Sequence, residues 1–499
     1  MVNNSGLRTK ILTAISATAM LVSGCGSGPT TSCQLLGDPG AAAFAGVLRN
    51  KVSVDAMMAH LAALQGIANA HQGTRAVGTA GYDASVEYVV KVLQNNGFEV
   101  KTPEFHARAF HAEPGTVAID GVTLEAHALT FSPGSPPEGV RGSLVAPSAD
   151  HGQGCVDQDY DGLPVRGAVV LVDRGTCRFS QKEDVAAQRG AVAMIVADNV
   201  VEEKISGDLG ENTDVKIPVV GVTKLAGEQL RAKQGLVTVT LKAETKNVHA
   251  RNIIAQTKAG STSNVVMAGA HLDSVPEGPG IDDNGSGVAA LLETAVQLGN
   301  SPKINNAVRF GFWGAEELGL IGSRKYVASL DRDGLKDIAL YLNFDMLASP
   351  NPGYFTYDGD LSLPVDQRGQ PVVPEGSAGI ERVLVAYLNS AGKTAQDTPF
   401  DGRSDYEAFA AAGIPAGGLF SGAEEKKSAE QAKLWGGAAG QPFDPNYHQA
   451  TDTLDRIDRE ALAINGGGVA YAIGLYAKDV SGRNGVPIRA DRTRNVLTQ

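Results

Sequence analysis

One histidine and six acidic residues stand where an apolar run gives way to a turn. His271 and Asp273 close "VVMAGAHLD", Asp282 and Asp283 stand in "IDDNGSG", Glu316 and Glu317 follow "VRFGFWG" in "AEELG", and Asp345 ends "IALYLNFDM". Taken singly, each has an ordinary structural explanation: a strand-end aspartate usually caps a helix or satisfies a turn, and a single histidine is more often structural than a ligand. Gathered at successive strand ends, they form the mixed nitrogen and oxygen donor set that a hydrolytic pair of zinc ions needs, with one carboxylate shared. Asp283, in a glycine-rich turn that leads into a helix, is the expected bridging ligand. Adjacent Glu316 and Glu317 cannot face the same way on a regular element, so they are expected to differ in role. Asp273, two residues after His271, is spaced to orient the imidazole through its other nitrogen.

Rigid elements must deliver these side chains. After residue 247, the runs "RNIIAQT", "NVVMAGAHLD", "NAVRFGFWG" and "DIALYLNFDM" alternate with helical stretches at 287 to 298 and 317 to 329, and further helices are expected near 378 to 391 and 405 to 412. That order predicts an α/β fold, a sheet sandwiched by helices, with ligands at the carboxyl ends of its strands. Upstream, "SVDAMMAHLAALQGIANAHQ" has helical spacing behind Ser53 as N-cap, and "YDASVEYVVKVLQNNGF" repeats the design before a glycine stop. Between about 126 and 245, short β-type runs such as "GAVVLVDRG", "VAMIVADN" and "IPVVGVT" are divided by Gly, Pro and Asp, the texture of a separate insert. The last stretch, "SGRNGVPIRADRTRNVLTQ", is polar and aperiodic and reads as a loose tail.

The stretches "HLDSVPEGPGIDDNGSGVAALLE", "FGFWGAEELGLIGSRKYV", "YLNFDMLASPN", "DGRSDYEAFAAAGIPAGGLFSGA" and "YHQATDTLD" together resemble the family 28 zinc aminopeptidases over roughly residues 50 to 480. The resemblance implies a zinc exopeptidase fold: a mixed, mostly parallel central sheet flanked by helices, phosphorylase/hydrolase-like. It implies two zinc ions, one held by His271 and Asp345, the other by Glu317 and His448, with Asp283 between them. It further implies Glu316 as the general base acting on a bridging water, Tyr447 as the oxyanion-stabilising hydroxyl, and Arg403 near the substrate's amino end; it leaves a calcium requirement open. The insert resembles a small α+β protease-associated domain. The implied domains are 46–125 and 246–482 for the peptidase, 126–245 for the insert and 483–499 for the tail. The implied reaction is removal of N-terminal residues from peptides with a free amine. Glutaminyl cyclases and carboxypeptidases on the same fold, and a non-catalytic binding lipoprotein, are the alternatives; "WGAEELGLIGS" and "GRSDYEAF" look like the aminopeptidase branch, and the complete ligand set argues against an inactive scaffold.

Length and composition agree with a globular protein: 499 residues, 43% of them hydrophobic, are enough for a sizeable core and for two domains. The formal charge of −12 makes nucleic acid an unsuitable partner. Residues 1–24 carry Arg8 and Lys10 ahead of an apolar stretch too short to span a bilayer, the pattern of an export signal. The following "LVSGC" resembles a bacterial lipobox, which implies a lipid on Cys25, a flexible tether over 25–45, and attachment to the outer face of the cell membrane. In that oxidising compartment Cys155 and Cys177, flanking one compact segment, are expected to form a disulfide, leaving Cys33 over.

Overall fold

Parallel strands covered by helices on both faces have no solvent side, so their residues run apolar without alternation. "VVMAGAH", "AVRFGFW" and "IALYLNF" have that texture, and in the computed structural model each becomes an interior strand. The structure describes residues 39–147, 153–201, 205, 207–364, 371–481 and 485–498. The signal peptide, Cys25 and Cys33 lie outside these residues. Among the described residues, no helix is long and apolar enough to cross a membrane.

In chain order, β1 (Glu99–Lys101) is followed by β2 (Glu104–Ala112), which leaves the main sheet. Then come β3 (Gly115–Ile119), β4 (Val122–Ala128), β5 (Val140–Val145), β6 (Val169–Asp173), β7 (Ala193–Ala197), β8 (Val219–Val222) and β9 (Leu236–Thr240), which close into a barrel. The chain returns along β10 (Ala243–Arg251), antiparallel to β2, to complete the main sheet with β11 (Ile253–Gln256), β12 (Ser261–His271), β13 (Asn306–Trp313), β14 (Ile338–Phe344), β15 (Phe355–Tyr357), β16 (Gln396–Thr398) and β17 (Ala416–Phe420). The order across that sheet is β1-β11-β13-β12-β14-β17-β15-β16. Pairing is parallel from β13 through β12 and β14 to β17 and antiparallel at β1, β11 and the β15–β17 contact.

One face of the sheet packs against the helices Val54–Ala70, Ala80–Asn95, Gly287–Leu298 and Arg459–Lys478; the other packs against Ile321–Ala328, Arg332–Asp337 and Tyr406–Ala411. Ser53 caps the first of these as expected, its hydroxyl accepting from Ala56 N at 3.2 Å. The helix expected over 317–329 is shorter, Ile321–Ala328, because residues 315 to 320 form a turn that aims the two glutamates.

The barrel takes in β3 and most of β4, which precede residue 126. β3 and β4 form a hairpin over Asp120–Gly121, both with positive φ (49° and 76°), the mirror-image turn that suits strand twist. The barrel carries the Cys155–Cys177 disulfide, Cα to Cα 6.0 Å. At the amino end, the expected tether overlaps a helix, Pro39–Lys51, packed on Arg459–Lys478. The carboxyl-terminal residues also depart from the expected loose tail. Arg492 and Arg494 are buried; Arg492 donates to Lys336 O (2.7 Å), and Arg494 to Gly413 O (2.6 Å), Ile338 O (3.0 Å) and Leu335 O (3.2 Å). A polar, aperiodic sequence hides this anchoring, because it rests on guanidinium bonds to backbone rather than on apolar burial.

Removing that guanidinium leaves buried carbonyls unpaired. Arg494→Met is therefore expected to destabilise the protein by about 2 kcal/mol, read as a lower midpoint in thermal or urea unfolding, with truncation after Pro487 shifting it the same way.

Candidate active site

β12 lies between β13 and β14, and the pairing sets their carboxyl ends level: His271 sits opposite Trp313, and Gly269 opposite Asn343. The chain leaves β13 through Ala315 and passes Asp345 into Met346, whose φ values are 58° and 51°; His448 stands at 55°. Non-glycine residues rarely adopt this left-handed region, and they hold it only where surrounding bonds over-determine it. Those bonds are present. Asp273 accepts from the amides of Glu316 (3.2 Å) and Glu317 (3.3 Å), and Asn284 Oδ1 accepts from Met346 N (3.2 Å).

The result is two clusters that share a carboxylate. His271 Nε2 is 3.1 Å from Asp283 Oδ1 and 3.3 Å from Asp345 Oδ1; His448 Nε2 is 3.2 Å from Asp283 Oδ2 and 3.0 Å from Glu317 Oε2. Ligand atoms bound to one tetrahedral zinc at about 2.0–2.1 Å lie roughly 3.3 Å from one another, so these spacings suit two ions. Glu317 Oε1 is buried without a hydrogen-bond partner, which leaves it available to a cation. Glu316 belongs to neither cluster; its carboxylate is buried, 4.0 Å from His271 Nε2.

A match to peptidase family M28 spans residues 252–473, and a match to the PA domain spans 140–230. The chain is 69% identical, over its full length and that of the relative, to a probable lipoprotein aminopeptidase, LpqL, of Mycobacterium tuberculosis. It is 42% identical to leucine aminopeptidase 2 of Arthroderma otae, with 87% of this chain and 86% of that one aligned. The chain belongs to peptidase family M28. Its fold matches that of BSAP, a zinc aminopeptidase from Bacillus subtilis, with a TM-score of 0.61 at 25% identity, covering 87% of this chain and 98% of that one.

In this M28 peptidase the electrostatics favour cations. Burial pulls the Asp283 carboxyl up, but hydrogen bonds and charge from His271 and His448 outweigh it and hold it below the usual range. Burial and the Asp283 charge push Glu317 up to about 7, while His448, disfavoured as a cation by burial, is nonetheless raised to about 10 by Asp283 and Glu317. Packing this many acids around two imidazoles in a buried site is stable once divalent ions neutralise them.

The supports around the site include residues that sequence reasoning did not single out. Asp452 accepts from the amides of Asp282 (2.7 Å) and Asp283 (3.1 Å), and buried Arg75 donates to Pro279 O (2.8 Å), Gly280 O (2.6 Å) and Leu272 O, clamping the turn before Asp283. Gly280, at φ 61°, leaves no room for a Cβ, which would meet Asp283 O at 2.4 Å. Ser404 donates to Asp345 Oδ2 at 2.5 Å and receives Asn343 Nδ2 at 2.8 Å. Asp282 turns away from the site to accept Ala348 N (2.9 Å) and Ser349 Oγ (3.1 Å). Asp452 carried a signal, an acid four residues after His448; Arg75, in "GTRAVGT", carried none.

Two expected residues act differently in geometry. The partner of His271 Nδ1 is the backbone carbonyl of Asp273 (3.2 Å); the Asp273 carboxylate is 3.8 Å away and engaged with the two glutamate amides. Arg403 pairs with Glu424 (2.7 Å) and Glu425 (3.2 Å) and approaches Tyr447 Oη at 3.4 Å. Tyr447 itself stacks on His448, ring centroids 3.8 Å apart. These residues open on a cavity of about 440 Å³ whose far walls are Met346, Phe355, Phe420 and Phe443. Gly422 (φ 96°) borders it where a Cβ would strike the Phe443 ring at 2.4 Å.

A third acidic group, Asp358, Asp360 and Glu381, lies beyond β15, but Asp358 and Glu381 already accept the amides of Ser362, Leu363 and Asp360. Burial, with Asp360 and Asp397 nearby, pushes Glu381 up to about 7. A carboxyl raised on folding stabilises the protein below its unfolded pKa and loses that contribution as pH rises through about 7. Glu381→Gln should therefore unfold at a higher temperature than the parent at pH 8 and at a similar one at pH 4. Asp452→Ala should weaken zinc binding about 10- to 100-fold, measured by competition with a chelator.

Proposed function

We propose that this M28 peptidase is a zinc aminopeptidase that removes the N-terminal residue from peptides with a free amine, using two zinc ions held by His271 and Asp345, by Glu317 and His448, and by Asp283 between them. The observation that carries the reading is Asp283, whose two carboxyl oxygens each face a different imidazole at 3.1 and 3.2 Å. The relatives at 69% and 42% identity, both named aminopeptidases, support the reaction class. The apolar cavity wall of Met346, Phe355, Phe420 and Phe443 suits a leucine-like first residue.

Zinc held by these residues would supply Lewis acidity and lower the pKa of water. Glu316, buried beside both clusters but engaged in neither, takes a proton from the attacking water and passes it to the leaving nitrogen, serving first as general base and then as general acid. Tyr447 donates its hydroxyl to the developing oxyanion. Its stacking on His448 and the approach of Arg403 fix where that hydroxyl points, and Glu424 and Glu425 hold Arg403 at the cavity wall. Asp273 keeps Glu316 and Glu317 in register by binding both amides.

The anchoring reading rests on the leader and "LVSGC", with Cys25 carrying the lipid, and on the lipoprotein name of the relative at 69% identity. It makes the protein an exported peptidase on the outer face of the membrane.

Zinc-loaded protein is expected to release p-nitroaniline from leucine p-nitroanilide and not from its N-acetyl form, and chelation should abolish turnover until zinc is restored. Cleavage of the acetylated substrate, or activity that survives full zinc removal, would overturn the reading. Glu316→Gln should retain zinc and lose about 10²- to 10⁴-fold in kcat. Tyr447→Phe should raise the barrier by about 2–4 kcal/mol, in kcat more than in KM; unchanged kcat would remove Tyr447 from the mechanism.

A further inference from the structure

The two strands that carry the chain into and out of the barrel, β2 and β10, pair over their full length, and the register sets His106 directly opposite His249. Their ring centroids are 5.3 Å apart with planes tilted by 60°, and both side chains are on the exposed face of the ribbon. Glu104, two residues before His106 and therefore on the same face, has its Oε2 3.4 Å from His249 Nε2. Two imidazoles and a carboxylate thus stand together on a surface that shares no residue with the catalytic clusters.

We propose that Glu104, His106 and His249 form a separate binding site for a borderline divalent transition metal such as zinc, nickel or copper. Imidazole nitrogen with one carboxylate is the donor set these ions favour, whereas calcium and magnesium prefer oxygen alone. The Glu104 to His249 spacing already equals the roughly 3.3 Å expected between two ligands of one tetrahedral ion. Directly opposed residues of an antiparallel pair have Cβ atoms about 4.5–5.5 Å apart, so both imidazoles reach a common ion by rotation about their side-chain bonds alone. Exposure leaves that rotation free: the His249 and Glu104 side chains are 48% and 63% exposed. Water completes the coordination from the open side.

The nearby charges are compatible with this. Arg251, opposite Glu104 in the register, is drawn off by Asp83 (3.3 Å) and Glu87 (3.0 Å) on the helix Ala80–Asn95. Lys246 is engaged with Glu244 further along β10. An ion held here joins the outgoing strand to the returning one, at the ribbon that links the sheet to the barrel. Metal occupancy therefore stiffens the link between the two units.

The test compares zinc stoichiometry between the otherwise unaltered protein and the His106→Gln/His249→Gln variant, by isothermal titration of zinc-loaded, desalted protein and by elemental analysis. The difference between the two proteins is what counts, so the result does not depend on how many ions the catalytic clusters hold. The parent should bind one equivalent more than the double variant, Glu104→Gln should weaken that equivalent at least tenfold, and leucine p-nitroanilide hydrolysis should be the same in all three. Amide exchange along 104–112 and 243–251 should slow on adding the extra equivalent to the parent and not to the variant. Equal stoichiometry in parent and double variant would overturn the proposal, as would retention of the extra equivalent at undiminished affinity in the variant.

Discussion

A carboxylate that must present one oxygen to each of two imidazoles has almost no freedom left, and at Asp283 that demand shapes much of what surrounds it. The turn before it is held by the Arg75 guanidinium, its own amide and that of Asp282 are held by Asp452, and Asn284 beside it is tied to the end of β14. Each of these groups is buried, so none of these bonds is easily exchanged for water. The three strands set level by their parallel pairing supply the remaining geometry. His271, the glutamate pair and Asp345 emerge at one height because β12, β13 and β14 end together.

The same constraint explains why parts of the site could be read from the sequence and others could not. His271, Asp283, Glu316, Glu317 and Asp345 announce themselves because each directly follows an unbroken apolar run or a glycine-rich turn, and a polar residue at such a junction has few structural excuses. Tyr447 and His448 lie in the irregular stretch between the helix Ala429–Trp435 and the helix Arg459–Lys478, where no periodicity points to them; only resemblance to a known family marks them. Arg75 bonds to backbone, and backbone partners leave no trace in residue type; Asp452 also bonds to backbone, and only its spacing from His448 marks it. For Asp273 the acid was legible, but the choice between imidazole and amide as its partner depends on sub-ångström placement that spacing does not encode.

The fold divides in the same way. Interior strands are readable because burial on both faces makes them run apolar without a break, amphipathic helices because one-sided burial imposes periodicity, and Ser53 as an N-cap because a hydroxyl there satisfies an orphan amide. The β3–β4 hairpin of the barrel is hard to read because it is half-exposed and its turn signal, Asp120–Gly121, is short. The carboxyl-terminal segment was misread for a related reason: arginines that donate to buried carbonyls have the composition of a loose tail and the energetics of a packed one.

The proposed metal clusters and the aromatic cavity wall are carried by different strands of one sheet. Of the residues proposed to hold zinc, His271, Asp283, Glu317 and Asp345 follow the parallel core β12, β13 and β14, as does Glu316, and packing on both faces fixes backbone position there; His448 comes from the segment after β17. The aromatic part of the cavity wall comes from further along the sheet: Phe420 at the end of β17 faces Phe355 at the start of β15, and Phe443 closes on Phe355 with ring centroids 5.3 Å apart. In the sheet β15 pairs with β17 and β16 and not with β12, β13 or β14, so those aromatic side chains stand on strands that carry none of the residues of the two clusters. On the proposed reading, the aromatic wall on β15 and β17 is thereby held apart from the strands that fix the ligand geometry.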